Sequence, residues 1–293
     1  MAVIFLTSWE GQAMSGPRVS RGQLRAIRDS LSDRDMEVLE SIATNRFLTS
    51  HQIRRLHFAD HTTSAAAIRS TNRALAKLAG LGLVAHLDRR IGGVRSGSGS
   101  HVWTLTEVGS RLLRSTGEFD ELPARLRAHE PTLTFLEHTL AVAEVCVALT
   151  EAERGGEFTV IELLREPECW RAYSARHGGV AQLKPDLYLV TTSGEYEDHW
   201  FLEIDRCTEP PSRIVRACQK YESYRQTGAE RKRIGIFPAV VWVTPDAKRC
   251  ATLRSHIART PDLDHRFFAV VYATDLPSLI KAGIGSQETG DGA

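Results

Sequence analysis

Two short apolar segments that carry acidic residues constrain the fold of this chain more than any other feature. The segments at 184–190 and 199–205 are rich in aliphatic and aromatic residues, as buried β-strands are, yet the first contains Asp186 and the second contains Glu203 and Asp205. The turn-forming residues between the segments predict a β-hairpin. Carboxylates on neighbouring buried strands repel one another and lose hydration, so they usually persist because a cation lies between them.

A divalent metal is the cation that best fits this pattern. Mg²⁺, or Mn²⁺ in its place, binds one or two carboxylates together with phosphate oxygens of a substrate, which predicts a metal site among Asp186, Glu203 and Asp205. Strand alternation puts Asp205 on the same face of the sheet as Glu203. The alternative is a structural cluster neutralised by one of three basic residues, Arg206, Lys184 or Lys220.

Net charge is distributed unevenly along the chain. Residues 1–114 hold 16 Lys and Arg against 9 Asp and Glu, a balance of +7, whereas residues 115–293 hold 21 against 27, a balance of −6. A basic part beside an acidic part predicts a polyanion-binding module joined to a module of a different type. A chance fluctuation is the alternative.

Composition argues against several other classes of protein. The five cysteines are scattered and include no CxxC pair, which argues against a structural zinc site and favours reduced thiols in a cytoplasmic protein. No uninterrupted apolar run approaches the length needed to span a membrane, so no membrane partner is expected. The sequence contains no P-loop, GxGxxG, HExxH or GxSxG motif.

The N-terminal half predicts a winged helix-turn-helix domain over residues 32–116. Helical periodicity indicates three helices, of which the third is capped at Thr63 or Ser64 and ends near Leu81. Alternating segments on either side of a Gly/Ser-rich loop at 92–100 then predict a β-hairpin. Three helices followed by a hairpin is the order of a winged helix, a fold that binds double-stranded DNA in many proteins.

The third helix has an apolar side and a basic side. At about 100° per residue, Ile68, Thr71, Leu75 and Leu78 fall on one side of this helix. Arginine and lysine on the other side, and in the wing, can reach guanine edges or phosphates. The candidate DNA-binding residues are Arg69, Ser70, Arg73, Lys77, Arg89, Arg90 and Arg95. The alternative is a solvated basic face on a winged helix that binds protein.

The C-terminal half predicts a mixed sheet flanked by helices over residues 132–276. A long helix at 133–154 is followed by a strand, by the acidic hairpin, and then by alternating helices and strands. A hairpin followed by right-handed crossovers implies an α/β or α+β domain. Residues 1–31 are predicted as an N-terminal extension, 117–131 as a connector and 277–293 as a polar tail.

This order of elements, with Asp186 after a proline on one strand and Glu203 on the next, resembles the PD-(D/E)XK nuclease superfamily. The resemblance implies that these two acids hold a metal ion and that a lysine two residues after the second acid activates the attacking water. That position is Asp205 here, so the signature lysine is missing, and Lys220 on the next helix is the natural substitute. Glu144 occupies the place of an additional helical acid, and Glu144 and Asp205 would assist catalysis.

The chain from about residue 32 to residue 275 resembles the actinobacterial replication-relaxation family, in which a winged helix precedes a domain with PDxYL and FLExDR strands. The matching segments are 185–189 and 201–206. This family resemblance implies a protein of plasmid or mobile-element replication that binds double-stranded DNA. The nuclease resemblance implies an endonuclease or nickase with Mg²⁺ or Mn²⁺ as its cofactor. The alternative, favoured by the missing lysine, is a non-enzymatic regulator with an inactive nuclease-like domain. Homodimer formation is left open.

Other residues in this half have weaker support as functional groups. His138 on the long helix could act as a ligand or base, although most histidines in such positions serve packing. Tyr221 and Tyr224 could act as relaxase nucleophiles only beside a cluster of histidines, and the sequence contains no HxH motif.

Overall fold

The computed structural model of the chain describes residues 19–87, 100–117, 119–120, 131–174 and 178–283. By packing, the chain divides into an N-terminal unit, Met1–Leu140, and a C-terminal unit, Ala141–Ala293. This division falls inside a long helix, whereas the sequence places the connector before that helix.

The N-terminal unit combines helices with a small sheet. Its described elements in chain order are α1 (Arg21–Asp29), α2 (Asp33–Asn45), β1 (Leu48–Thr49), α3 (Ser50–His57), α4 (Ser64–Gly80), β2 (Val84–His86), β3 (Val102–Leu105) and α5 (Glu107–Arg114). The strands form an antiparallel sheet in the order β1-β3-β2. The predicted succession of three helices and a hairpin is present as α2, α3, α4, β2 and β3.

Side-chain caps determine where several of these helices begin. Ser32 and Thr49 each accept a hydrogen bond from the backbone N–H three residues later, and the side chain at that later position accepts one from the cap residue, as in a capping box. Thr63 caps α4 through its side chain. Ser20 forms a capping box at the start of α1, so the predicted extension at 1–31 contains a helix that was not expected.

A close approach between the hairpin and α5 requires glycine at position 109. A Cβ atom on Gly109 would collide with the backbone carbonyl oxygen of Leu83. The Thr106 hydroxyl lies at the same contact, where it donates to the Leu83 carbonyl at 3.2 Å and accepts from the Gly109 N–H at 3.1 Å. Thr106 therefore caps α5 and ties the start of α5 to the end of α4 and the beginning of β2.

The C-terminal unit begins within α6 (Leu133–Arg154), whose first residues belong to the N-terminal unit. The described elements that follow are β4 (Thr159–Arg165), β5 (Arg171–Ser174), β6 (Val180–Leu183), β7 (Leu187–Ser193), β8 (Tyr196–Ile204), α7 (Pro211–Gln226), α8 (Ala229–Ile234), β9 (Ala239–Thr244), α9 (Ala247–Ala258), β10 (Phe268–Tyr272) and α10 (Leu276–Ala282). The separate β5–β6 hairpin and α8 were not predicted from the sequence.

A five-stranded sheet in the order β10-β9-β8-β7-β4 forms the centre of this unit. β4, β7 and β8 are antiparallel neighbours, whereas β8, β9 and β10 are parallel neighbours. The parallel pairs are connected through α7 and α9, as expected for crossovers between parallel strands. The predicted mixed sheet flanked by helices is therefore confirmed.

Helices cover both faces of this sheet. α6 and α10 pack on the face that includes Leu202 and Val241, and α7 and α9 pack on the face that includes Phe201 and Trp242. Side chains alternate between the faces because successive residues of a strand point in opposite directions. Glu203, two residues after Phe201, therefore belongs to the face that α7 and α9 cover.

The C-terminal end of the described chain is helical rather than a polar tail. Leu276, Leu279 and Ile280 of α10 are buried in the core on the α6 face of the sheet. Their spacing of three and four residues puts them on one side of the helix. The predicted tail at 277–293 therefore includes a packed helix at its start, and residues 284–293 lie outside the described residues.

Within the described residues, α6 is the one helix long and apolar enough, by length and composition, to cross a membrane. The sequence predicts no such segment, because charged residues interrupt the apolar run. Leu136 and Leu140 of α6 are buried in the N-terminal unit, and Val145 and Leu149 are buried in the C-terminal unit. These apolar side chains contribute to the cores of the two units.

Candidate functional site

Helix α4 buries one side and exposes another. Its buried residues are Ala67, Thr71, Leu75 and Leu78. Arg69 and Arg73 are exposed one helical turn apart. Ile68, which the sequence places on the buried side, is 44% exposed, because the buried side is rotated by about one residue toward Ala67.

Lys77 differs from the two exposed arginines because it contacts α2. Its Nζ lies 2.7 Å from Oδ2 of Asp35 and donates to the backbone carbonyl of Ser30 at 3.0 Å. Burial raises the pKa of Asp35, but hydrogen bonds from Lys77 and Ser32, and the charge of Lys77, outweigh burial and leave the pKa below its usual value. Lys77 is therefore engaged in an ion pair within the N-terminal unit, which corrects its prediction as part of an open basic stripe.

The other predicted DNA contacts have varied positions. Ser70 is half-buried on α4. Arg89, Arg90 and Arg95, in the predicted wing, lie outside the described residues. The described part of the candidate DNA-binding surface therefore centres on the two exposed arginines of α4.

Asp186 and Glu203 meet at the end of the β7–β8 hairpin. Leu187 pairs with Leu202, so the antiparallel register brings the two acids opposite each other immediately beyond that pair. Oδ2 of Asp186 accepts a hydrogen bond from the Ile204 N–H at 2.7 Å. Asp186 is only 8% exposed, and its carboxylate is fixed against the neighbouring strand.

The carboxyl group of Glu203 lies in a buried and negatively charged environment. The hydroxyl group of Tyr221 on α7 donates to its Oε1 at 2.6 Å. Burial and then the charge of Asp186, with smaller effects of Glu166 and Glu209, raise the pKa of Glu203 well above its usual value, against the opposing hydrogen bond from Tyr221. The described groups that chiefly influence this pKa include three other carboxylates and no basic side chain.

Asp205 is held by an arginine of α9. Nε of Arg249 lies 2.6 Å from Oδ2 of Asp205, and Nη2 donates to Oδ1 at 2.9 Å and to the Glu209 carbonyl at 2.7 Å. Two parallel bonds of this kind form a bidentate ion pair. The expectation that Asp205 assists Asp186 and Glu203 is corrected, because Arg249 engages both of its carboxylate oxygens.

The lysines that the sequence places near the acids have other environments. Lys220 is exposed on α7 and makes no hydrogen bond or ion pair with a residue that the structure describes. Lys184 is exposed, and its Nζ lies 4.1 Å from the centre of the Trp170 ring. Neither lysine contacts Asp186 or Glu203 in the described part of the chain.

Two candidate residues of α6 also lie away from the paired acids. Glu144 is exposed, and its neighbours Val145 and Cys146 are buried on the sheet face opposite Glu203. The structure thus places Glu144 at an exposed position of α6, and its role as an additional catalytic acid stays a prediction. His138 is half-buried in the part of α6 that belongs to the N-terminal unit.

Within the described ranges, no group of three or more His, Cys, Asp or Glu side chains is arranged to hold a metal ion. The candidate ligands are thus the pair Asp186 and Glu203. Two partners were not predicted: Tyr221 as the donor to Glu203, and Arg249 as the partner of Asp205. The signal for Arg249 was its place just after β9, because the carboxyl ends of the parallel strands β8 and β9 lie side by side.

These features define an α/β protein of two packing units, in which a mixed sheet carries paired carboxylates at the end of a hairpin. The family model described as Replication-relaxation matches residues 39–240. The chain therefore belongs to the replication-relaxation family, as the sequence motifs predict.

No curated protein matches this chain. Among solved structures it is similar to the restriction endonuclease FokI bound to DNA, at 13% identity and a TM-score of 0.26, over 90% of this chain and 51% of that chain. It is also similar to a second structure of FokI, at 15% identity and a TM-score of 0.27, over 86% of this chain and 45% of that chain. The chain thus spans about half the length of FokI, and at these TM-scores the similarity says nothing of function.

Proposed function

We propose that this replication-relaxation protein binds double-stranded DNA through α4. The observation that carries the proposal is the exposure of Arg69 and Arg73 on a helix whose other side packs against α3 and β2. A helix of this form fits the major groove, where arginine reaches guanine edges and phosphates. Membership of the family supports DNA under replication or relaxation as the partner, and plasmid or mobile-element DNA is the form that we propose.

Two further exposed residues of α4 are suited to reading bases. Ile68 and Asn72 lie beside the arginines and are both exposed. Asparagine can form two hydrogen bonds with adenine, and an apolar side chain can contact the methyl group of thymine. The exposed side of α4 therefore combines groups for guanine, adenine and thymine, which supports recognition of a defined sequence.

Substitution of the arginines tests DNA binding. We expect Arg69→Ala/Arg73→Ala to weaken binding of a DNA duplex and to lower the slope of log affinity against log salt by about 0.9 for each phosphate that the variant no longer neutralises. Arg21→Ala/Arg25→Ala removes two exposed arginines of α1 and is the matched control. If the two double variants bind DNA with equal affinity, the exposed arginines of α4 are a solvated basic face and do not bind DNA.

Asp186 and Glu203 support a second part of the proposal, a site for Mg²⁺ or Mn²⁺. The donor set fits a hard cation because two carboxylates lie opposite each other, and burial and negative charge raise the pKa of Glu203. A bound divalent cation would lower the pKa of water and stabilise negative charge on a phosphodiester.

The protein groups around the paired acids keep both carboxyl groups in position. The Ile204 N–H orients Asp186, and the Tyr221 hydroxyl orients Glu203 through one oxygen and leaves the other for a ligand. This arrangement supports hydrolysis of a DNA phosphodiester, as in an endonuclease or a nickase.

A non-enzymatic regulator is the competing proposal, and a specific observation favours it. Asp205 occupies the position of the signature lysine and is neutralised by Arg249. No lysine contacts the paired acids within the described residues. In this version the C-terminal unit binds no catalytic metal, and α4 alone carries the function.

Two measurements separate the enzyme from the regulator. Calorimetric titration with Mn²⁺ should show binding to the unaltered protein and loss of binding in Asp186→Asn and Glu203→Gln. When supercoiled plasmid is incubated with Mg²⁺ or Mn²⁺, the unaltered protein should give nicked product, and the two variants should not. Absence of Mn²⁺ binding would exclude the metal site, and Mn²⁺ binding without nicking would support the regulator.

A further inference from the structure

The helices on the Glu203 face of the sheet are strongly basic, although the C-terminal unit as a whole is slightly acidic. Residues 141–293 hold 19 Lys and Arg against 22 Asp and Glu. Residues 211–259, which contain α7, α8, β9 and α9, hold 11 Lys and Arg against 3 Asp and Glu. The positive charge of the unit is therefore concentrated in one layer.

The three acids of this layer are already engaged. Glu222 lies 2.7 Å from Nη2 of Arg225 and is buried. Glu230 is buried between Arg171 and Arg233, at 2.7 Å and 2.8 Å. The third acid, Asp246, caps α9 by accepting a hydrogen bond from a backbone N–H. Glu222 and Glu230 are therefore neutralised by arginines, and Asp246 is the exposed acid that remains among the cations of the layer.

Six exposed cations form what we call the helical basic face. Its members are Arg216 and Lys220 of α7, Arg231 and Lys232 of α8, and Lys248 and Arg259 at the two ends of α9. None of the six forms a side-chain hydrogen bond or ion pair with a residue that the structure describes. α7 contacts both α8 and α9, so the three helices that carry these cations are neighbours in the fold.

Apart from Asp246 at the start of α9 and Asp262 just beyond its end, many exposed acids of the C-terminal unit lie on other elements. Glu162 is exposed on β4, Glu195 and Glu197 are exposed at the β7–β8 hairpin, and Glu144 is exposed on α6. This segregation separates a surface that attracts anions from surfaces that repel them.

The exposed residues of α7 indicate which polyanion this part of the face fits. The exposed positions of α7 are Ser212, Arg213, Arg216, Gln219, Lys220, Ser223 and Gln226. They include no aromatic or large apolar side chain, which a helix needs to insert into a membrane surface and which a groove needs to stack unpaired bases. Short polar side chains and cations on regular helices instead match phosphates at the regular spacing of a duplex.

We propose that the helical basic face binds the phosphate backbone of double-stranded DNA, as a second contact surface separate from α4. The inference rests on the proposed function in that it takes the same partner, but it uses only residues of the C-terminal unit. The inference also assigns a role to Lys220, which contacts neither of the paired acids. Lys220 binds phosphate in this proposal. Because phosphates carry no base identity, this contact contributes affinity for any duplex sequence.

Paired substitutions in the full-length chain test the inference. Arg216→Ala/Lys220→Ala and Arg231→Ala/Lys232→Ala are each compared with Arg154→Ala/Lys281→Ala, which removes the same charge from exposed positions of α6 and α10. Binding of a labelled duplex of random sequence is measured without metal over a range of salt concentrations. We expect each double variant of the face to bind at least about tenfold more weakly than the control and to lower the salt slope by about 0.9 for each phosphate left without its cation.

The outcomes separate this inference from the role of α4. If the variants of the face bind as the control does while Arg69→Ala/Arg73→Ala binds weakly, the helical basic face is not a DNA surface and the proposed function stands. If the variants of the face bind weakly and the α4 variant binds normally, the inference stands and the role of α4 is wrong. Stronger binding to anionic vesicles than to duplex would also overturn the inference. Unchanged circular dichroism melting curves establish that each variant is folded.

Discussion

Two glutamates of the C-terminal unit, the buried Glu230 and the half-buried Glu203, differ in the groups that surround them. The side chain of Glu230 is 0% exposed, with guanidinium groups of Arg171 and Arg233 on its two oxygens and the Tyr224 hydroxyl at 3.1 Å. Glu203 receives its hydrogen bond from a neutral tyrosine and lies among other acids. The first carboxylate is neutralised by arginines of the protein itself, whereas the groups that chiefly act on the second supply no positive charge.

The difference separates acids that the protein itself neutralises from acids that lie among like charges. A buried carboxylate with cationic partners is held in the folded state, because removal of one partner leaves a buried charge unpaired. A carboxylate surrounded by like charges destabilises the fold in the absence of a ligand, and such groups are found where binding or catalysis requires them. Asp205, bound by Arg249, belongs with Glu230 in this division.

The largest effect is expected at Glu230. Glu230→Gln leaves Arg171 buried without its charge partner, and we expect the free energy of unfolding to fall by about 3–5 kcal/mol. Urea unfolding followed by circular dichroism measures the change. Glu222→Gln, which removes the acid of a more exposed pair, is the control and should cost about 1 kcal/mol or less. Equal losses of unfolding free energy in the two variants would show that the buried ion pairs of Glu230 have no special role in stability.

Arg249 tests whether Asp205 is structural. Arg249→Met leaves the Asp205 carboxylate buried and unpaired, with an expected loss of about 3 kcal/mol in the free energy of unfolding. Adding Asp205→Asn to the same chain should recover part of that loss, because the buried charge is then gone. Additive effects of the two substitutions would show that the pair is not coupled and that Asp205 is available to a ligand.

Glu203 should respond in the opposite direction. Glu203→Gln relieves repulsion among the acids, so in EDTA we expect the variant to be as stable as the unaltered protein or more stable by about 1 kcal/mol. Addition of Mn²⁺ should raise the melting temperature of the unaltered protein but not of the variant. Glu195→Gln at the exposed hairpin is the control. A large loss of stability in Glu203→Gln would show that Glu203, like Glu230, stabilises the folded protein.

The smallest effect concerns Asp35 and pH. Its pKa is lowered in the folded state, so its contribution to stability is present above the unfolded pKa of about 3.9 and is lost as pH falls through the lower folded pKa. Lys77→Met should remove at most about 1 kcal/mol of stability at neutral pH and flatten the fall below pH 4. Lys281→Met is the control, and an identical acid profile in the two variants would contradict the assigned pairing.

Long or strongly patterned elements could be predicted from the sequence, and short polar ones could not. β9 is an unbroken apolar segment, and α6 was predicted with the ends that it has in the structure. α8 is a six-residue helix rich in charge, with a positive-φ glycine at each end, and lacks the periodic apolar residues that indicate a helix. β5 and β6 are short and form a separate two-stranded sheet, so their sequence pattern indicates strands just as weakly.

The candidate site was predictable only in part for a related reason. The shared face of Glu203 and Asp205 follows from strand alternation, which is local. Their different partners do not, because Tyr221 comes from α7 and Arg249 from α9. The spacing of residues along a helix predicts which of them share a side, but it does not predict which strand residues that side contacts.

The sequence by itself determined the mixed sheet, the hairpin that carries the acids and the family of this protein, because side-chain periodicity and short motifs are properties of neighbouring residues. The tertiary structure decided that Asp205 and Glu230 have arginine partners, that Glu203 lies opposite Asp186 and which cations remain exposed. The physical reason is that charge balance depends on distances of a few ångströms between segments far apart in the chain, and those distances exist only once helices pack on the sheet.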